Sequence, residues 1–239
     1  MKILALDTAT ETGGVALLED ELLLAQCQFR TVKTHAHLLW KAILFLLEQT
    51  DCKITDVDLW AVTVGPGSFT GLRIGLATIK GLAFATGKPV VGLSTLEVLA
   101  AGLPCSPLMI CPLIDARKKE VFYAFYRLDE EGKRVSLGQA RNNKPQQVVE
   151  SIQEPVILVG NGALLYRDFF QQTLGWKAIL PAIPFHSISP FILGTLAYQR
   201  LKSEGPLPLD DIRPHYIRPS DAELKPSVIS PYLPPILEN

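Results

Sequence analysis

Positive charge is not in surplus in this chain. Lysine and arginine number 23 against 24 aspartates and glutamates, for a formal net charge of −1. A protein that seizes nucleic acid or an anionic membrane unaided carries a basic excess, whereas a subunit whose partner holds the RNA does not need one. Cysteine is sparse. Cys27, Cys52, Cys105 and Cys111 form no close Cys-x-x-Cys pair, so zinc ribbons and thioredoxin-like redox centres lack support. They read as reduced, partly buried thiols of a cytoplasmic protein. Long apolar runs are missing as well. "MKILALDTAT" is interrupted by Asp7 before it could act as a signal peptide, and nothing reaches membrane-spanning length. No Gly-x-Ser-x-Gly nucleophile elbow occurs, and no Walker lysine follows "GPGSF". Of the four histidines, His35 and His37 lie two apart at the start of a helix and point to nearly opposite sides. His186 and His215 stand in isolation, and all four read as structural or surface residues.

What is present is an ordinary globular composition: 239 residues, 48% hydrophobic and 20% charged. "KILALD" reads as a buried strand ending in an acid, and "GGVALLED" and "ELLLAQCQFR" follow at hairpin spacing with a turn at "EDE". "THAHLLWKAILFLLEQT" has the length and leucine content of a helix, with Thr34 as its N-cap. Then come a strand "LWAVTVG", a glycine-rich turn and helix "GPGSFTGLRIGLATIKGLAFATG", a strand "PVVGLS", and a short helix "TLEVLAAG". At Met109 the pattern starts again. "MICPLIDARKKEVFYAFYRLDEEGKRVSLGQAR" reads as three strands, with Asp115 ending the first as Asp7 does. A helix beginning at Pro145, a strand "PVILVGNGA" and helices stopped by Gly175 and Gly205 complete it. The order predicts an α/β chain of two mixed-sheet domains, each βββαβαβα. Residues 1–104 make the first and 105–205 the second. A proline-rich segment, 206–239, returns toward the first domain and then ends as a loosely ordered tail.

A duplicated fold of this order resembles the actin-like and Hsp70-like ATPases (ribonuclease H-like). The motifs narrow the likeness. "LALDTAT" (Leu4 to Thr10), "GPGSFTGLRIGL" (Gly65 to Leu76) and "RPHYIRPSDAE" (Arg213 to Glu223) together resemble the TsaB (YeaZ) family. The likeness spans about residues 1–223. It implies a protein of the machinery that makes threonylcarbamoyladenosine beside the anticodon of tRNAs reading A-starting codons. It implies a non-catalytic partner of TsaD, the catalytic paralogue. The TsaE ATPase, a homodimer and an indirect contact with tRNA through the complex are implied with it. TsaD-type proteins carry a metal site in a segment like Val-Asn-His-x-Glu-Gly-His. The matching segment here is "LSTLEVL", with Thr95 and Leu99 at the two histidine positions. Neither side chain supplies an imidazole nitrogen, so a metal-dependent transferase or peptidase centre of that type is not expected.

The glycine-rich turn admits two readings. As a cradle, Gly67 and Ser68 would offer free N–H groups to an anion at the start of a helix. Asp7, Thr8, Asp115, Gly160 and Gly162 would then be further nucleotide or anion contacts, with weak ATP or ADP and Mg²⁺ binding. As a packing device, the small residues would let another helix approach. Gly71 and Gly75 share one face, continued by Thr78 and Leu82, while Ala77, Gly81 and Ala85 thin a neighbouring one. The preceding helix is apolar on most of its circumference, so some of Leu38, Leu39, Ala42, Phe45 and Leu46 should face something other than one sheet. The family likeness assigns pairing, with TsaD or a second copy, to these two helices. The expectation is a partner face made by these residues with Gly71, Gly75, Thr78 and Leu82. Arg73 is expected to pair with an acid.

Overall fold

A computed structural model describes residues 1–30 and 35–218, with the side chains of residues 35 and 36 left out. Thr34 as a cap, the ring of His35, the last part of the "RPHYIRPSDAE" motif and the tail from residue 219 lie outside the described residues. The first unit comprises β1 (Lys2–Asp7), β2 (Thr12–Glu19), β3 (Leu22–Arg30), α1 (His35–Gln49), β4 (Leu59–Gly65), α2 (Phe69–Thr86), β5 (Val90–Ser94) and α3 (Thr95–Ala101). Its five strands lie in the order β3-β2-β1-β4-β5. The pairs β1–β2 and β2–β3 are antiparallel, and β1–β4 and β4–β5 are parallel. β1 and β4 are central and covered on both faces, which is why they read as unbroken apolar runs. β3 is an edge, with Leu22, Leu23 and Leu24 exposed.

The second unit comprises β6 (Met109–Asp115), β7 (Val121–Tyr123), β8 (Tyr126–Leu128), β9 (Arg134–Ser136), β10 (Arg141–Asn143), α4 (Pro145–Glu150), β11 (Val156–Val159), α5 (Asn161–Leu165), α6 (Arg167–Leu174), β12 (Ala178–Ile179) and α7 (Pro190–Glu204). The path β10-β7-β6-β11-β12 repeats the first sheet strand for strand and direction for direction. Of the three strands read from Met109 to Arg141, the second, "EVFYAFYRLD", and the third, "KRVSLGQAR", are corrected. Each divides in two, because β8 and β9 form an extra hairpin hung on β6 through Tyr126 and Ile110. "LLYRDFFQQTLG" also divides, into α5 and α6 at Tyr166.

The layers are stacked. α1 and α2 cover one face of the first sheet, with Leu39, Ile43, Leu46, Leu76 and Ile79 against Leu4, Leu6, Trp60 and Val62. α3 and α7 fill the space next to the other face, where Leu96, Leu99, Leu193 and Ala197 join Ala5, Leu18, Ile110 and Ile114 in one core. α4 to α6 close the far side of the second sheet around Leu158 and Phe170. α7 therefore lies on the first sheet, although its residues fall within the 105–205 range read as the second domain. Gly194 sits so near Leu18 that a Cβ would come within 2.5 Å of it. Residues 206–218 then run back along the first unit. Leu207 bridges to Val90, Ile212 enters the core beside α2, and His215 N–H donates to Val64 O at 2.7 Å.

Candidate functional site

Between the two units lies a cavity of about 470 Å³. Thr10, Glu11 and Arg30 stand on the first unit's side, with Asp115, Arg117 and Asn161 on the second's. Leu99, Ile114 and Ile188 give it an apolar floor. Glu11 spans the gap. It accepts from Arg30 Nη2 at 3.1 Å and from Arg117 Nη2 at 2.9 Å, and these two bonds hold its carboxyl below the usual carboxylate range. Arg117 also pairs with Asp115 at 3.4 Å.

The two strand-end acids are not equivalent. Asp115 reaches the cavity, whereas Asp7 is buried away from it. Asp7 Oδ1 accepts from Thr63 Oγ1 at 2.6 Å and from Ala9 N–H at 3.1 Å. Burial pushes its pKa up to about 6, against the lowering effect of those bonds. The structure thus does not bring Asp7 and Asp115 to one surface where a hydrated cation would sit. Among the described residues no cluster of three or more His, Cys, Asp or Glu could hold a metal ion. Thr95 is fully buried and Leu99 forms part of the cavity wall. His186, also on that wall, is buried with both ring nitrogens engaged. The Pro181 carbonyl can only accept, so Nε2 donates to it at 3.0 Å, while Nδ1 lies 3.1 Å from both the N–H and the carbonyl oxygen of Gly160. Gly160 and Gly162 are pressed against the backbone of Leu113.

The glycine-rich turn packs within the chain. Ser68 N–H, one donor of the expected cradle, is given to Ala9 O at 2.7 Å. Ser68 Oγ caps α2 by accepting from Gly71 N–H at 3.2 Å. Thr8 Oγ1 donates to Gly71 O at 2.7 Å. Gly67 lies on the Ala9 backbone, and Gly71 and Gly75 lie on Thr8 so closely that a Cβ at either would overlap it. The small face of α2 is the seam that lets the helix settle on the end of β1.

That finding corrects part of the expected partner face. Gly71 and Gly75 face inward, as do Leu39, Ala42 and Leu46, which are core residues. Leu38 and Phe45 are exposed, and Thr78 and Leu82 are half-buried. The reading missed Trp40, Leu44 and Phe84, the last 84% exposed. Ala77, Gly81 and Ala85 share the outer side of α2 with Phe84, and nothing lies within 4 Å of a Cβ placed on Gly81. The thinned second line was in the sequence. What was missing was the knowledge of which line turned inward. Arg73 is corrected too. It stacks over the Phe69 ring at 3.8 Å and donates to Tyr216 Oη at 3.1 Å, in place of an acid. Phe69 in turn stacks on Tyr216 at 4.6 Å, tying α2 to the returning segment.

Comparison with known proteins places this architecture. The model of the TsaD family, tRNA N6-adenosine threonylcarbamoyltransferase, matches residues 30–224. The tRNA threonylcarbamoyladenosine biosynthesis protein TsaB of Bacillus subtilis is 29% identical over 94% of this chain and 97% of its own. The solved structure of YeaZ from Pseudomonas aeruginosa superposes with a TM-score of 0.74 at 28% identity, covering 90% of this chain and 99% of that one. Component A of the (R)-2-hydroxyglutaryl-CoA dehydratase of Acidaminococcus fermentans shares the fold at 11% identity and a TM-score of 0.53, over 85% of this chain and all of its own. The fold is the duplicated actin-like ATPase fold, and the chain belongs to the TsaB (YeaZ) family.

Proposed function

We propose that this chain is a non-catalytic supporting subunit in the biosynthesis of threonylcarbamoyladenosine on tRNA, and that it docks on a TsaD-type transferase. The relatives named for that biosynthesis support the pathway. The observation that carries the docking is the outer side of α1 and α2, where Leu38, Trp40, Leu44, Phe45 and Phe84 stand in solvent. Burying one such side chain contributes about 1.5–3 kcal/mol, and monomers seldom leave so many together on neighbouring helices. Gly81, flanked by Ala77 and Ala85 on the same side, leaves room for a partner helix to come close. A second copy of this chain would compete for the same side, which makes a homodimer the resting alternative to the mixed pair.

The non-catalytic part rests on the cleft. Ser68 N–H of the glycine-rich turn is spent on Ala9 O, Asp7 is buried, and Thr95 and Leu99 replace the paralogue's histidines. These features favour neither an ATPase nor a metallopeptidase reading. The TsaE ATPase belongs to the same proposed assembly. Sedimentation of the chain mixed with the transferase of the same genome tests the docking. A mixed species replacing the free proteins is expected, and independent sedimentation at tens of micromolar would overturn it.

A further inference from the structure

Strained backbone and clustered charge coincide at a place that the α1–α2 side does not use. The connection from β6 to β7 contains Arg117, Lys118 and Lys119, all in the left-handed region at φ 61, 54 and 62. A Cβ makes that region costly, and it is glycine that normally occupies it. The turn is pinned nonetheless. Arg117 N–H donates to Asp115 Oδ1 at 2.8 Å, Ala116 N–H to Glu120 O at 3.0 Å, and Glu120 N–H to Arg117 O at 3.0 Å. Consecutive side chains on a strand would point to opposite faces, whereas this helix-like arc fans three exposed cations around one rim.

The rim extends on both sides. Arg30 joins it through the shared Glu11 carboxylate. Arg218 pairs with Glu120 at 2.9 Å, and the exposed Lys144 follows Asn143, the register partner of Val121. Among the described residues, six cations thus stand beside Glu11, Asp115 and Glu120, in a chain whose net charge is −1. No large apolar side chain is exposed within the turn, as insertion into a membrane surface would require.

We propose that the rim formed by Arg117, Lys118 and Lys119, with Arg30, Lys144 and Arg218 beside them, contacts the phosphate backbone of RNA. This inference rests on the reading of the chain as a subunit in tRNA modification, and it makes the contact with tRNA direct. The contact is sequence-independent: point charges neutralise phosphates and release counterions, so binding falls steeply with salt.

The test uses the full chain, alone and assembled with the transferase, and an unmodified tRNA transcript followed by fluorescence anisotropy across a salt series. Two double variants are compared with the wild type: Lys118→Gln with Lys119→Gln, and Lys118→Gly with Lys119→Gly. The second removes charge while suiting the left-handed backbone. Both are expected to bind roughly tenfold more weakly near 0.1 M salt. The plot of log affinity against log salt should become shallower by about 2 for the two lost cations. Unchanged affinity and slope, with normal melting of the variants, would overturn the proposal. So would loss of binding to phosphatidylcholine–phosphatidylserine vesicles with tRNA binding intact. If wild-type chain and transferase fail to assemble, the supporting-subunit reading falls, and the titration on the chain alone still decides the rim.

Discussion

Asp7 shows how much one buried acid can govern. Its raised pKa means that the folded chain holds the proton more tightly than the unfolded chain. Its stabilising contribution is therefore present below the ordinary value of 3.8 and is lost as pH rises through about 6. The shift corresponds to about 3 kcal/mol. Asp7→Asn keeps an acceptor for Thr63 and Ala9 but cannot titrate. Between pH 4 and pH 7 the wild type should lose stability relative to this variant by up to about that amount, read from urea unfolding at several pH values. Parallel stability curves for the two proteins would show that Asp7 ionises freely in the fold. The sequence marked Asp7 as the acid at a strand end, and that much was legible. Its burial was not, because the partner that holds it, Thr63, is 56 residues away.

Helix α2 displays the same limit one level up. Its start at Ser68, its end before Gly87 and its two small-residue lines can all be read from the letters. Periodicity yields faces, but it does not say which of two similar faces turns inward. The structure settles that by contact: Gly75 meets Thr8 and Leu6, while Gly81 meets nothing. Gly75→Leu should therefore destabilise the monomer by about 1–3 kcal/mol through overpacking, visible as a lower melting temperature. Phe84→Glu, 84% exposed, should leave melting within about 0.5 kcal/mol of the wild type yet abolish association with the transferase or a second copy. If Phe84→Glu sediments with its partner as the wild type does, α2 is not in the interface. Elsewhere legibility followed burial. β1 and β4 were plain because both faces are covered. β7 and β8 merged in the reading because "VFYAFYRL" stays apolar while the chain passes from one strand pairing to another. α7 was assigned to its neighbours in sequence, whereas its apolar side packs on strands more than 170 residues earlier.

Over the whole molecule, the two units repeat one topology. Ala9 takes the N–H of Ser68, and the exposed apolar side lies on the layer over α1 and α2. The exposed apolar side is the basis for proposing that the chain is a supporting subunit, and the most direct measurement is product formation. The chain, the transferase of the same genome, the TsaE ATPase, tRNA and threonylcarbamoyl-adenylate would be combined, and threonylcarbamoyladenosine counted after nuclease digestion. The account predicts no product from the chain without the transferase, product when both are present, and loss of that product when Phe84→Glu replaces the wild-type chain. Modified nucleoside made by this chain in the absence of the transferase would contradict it.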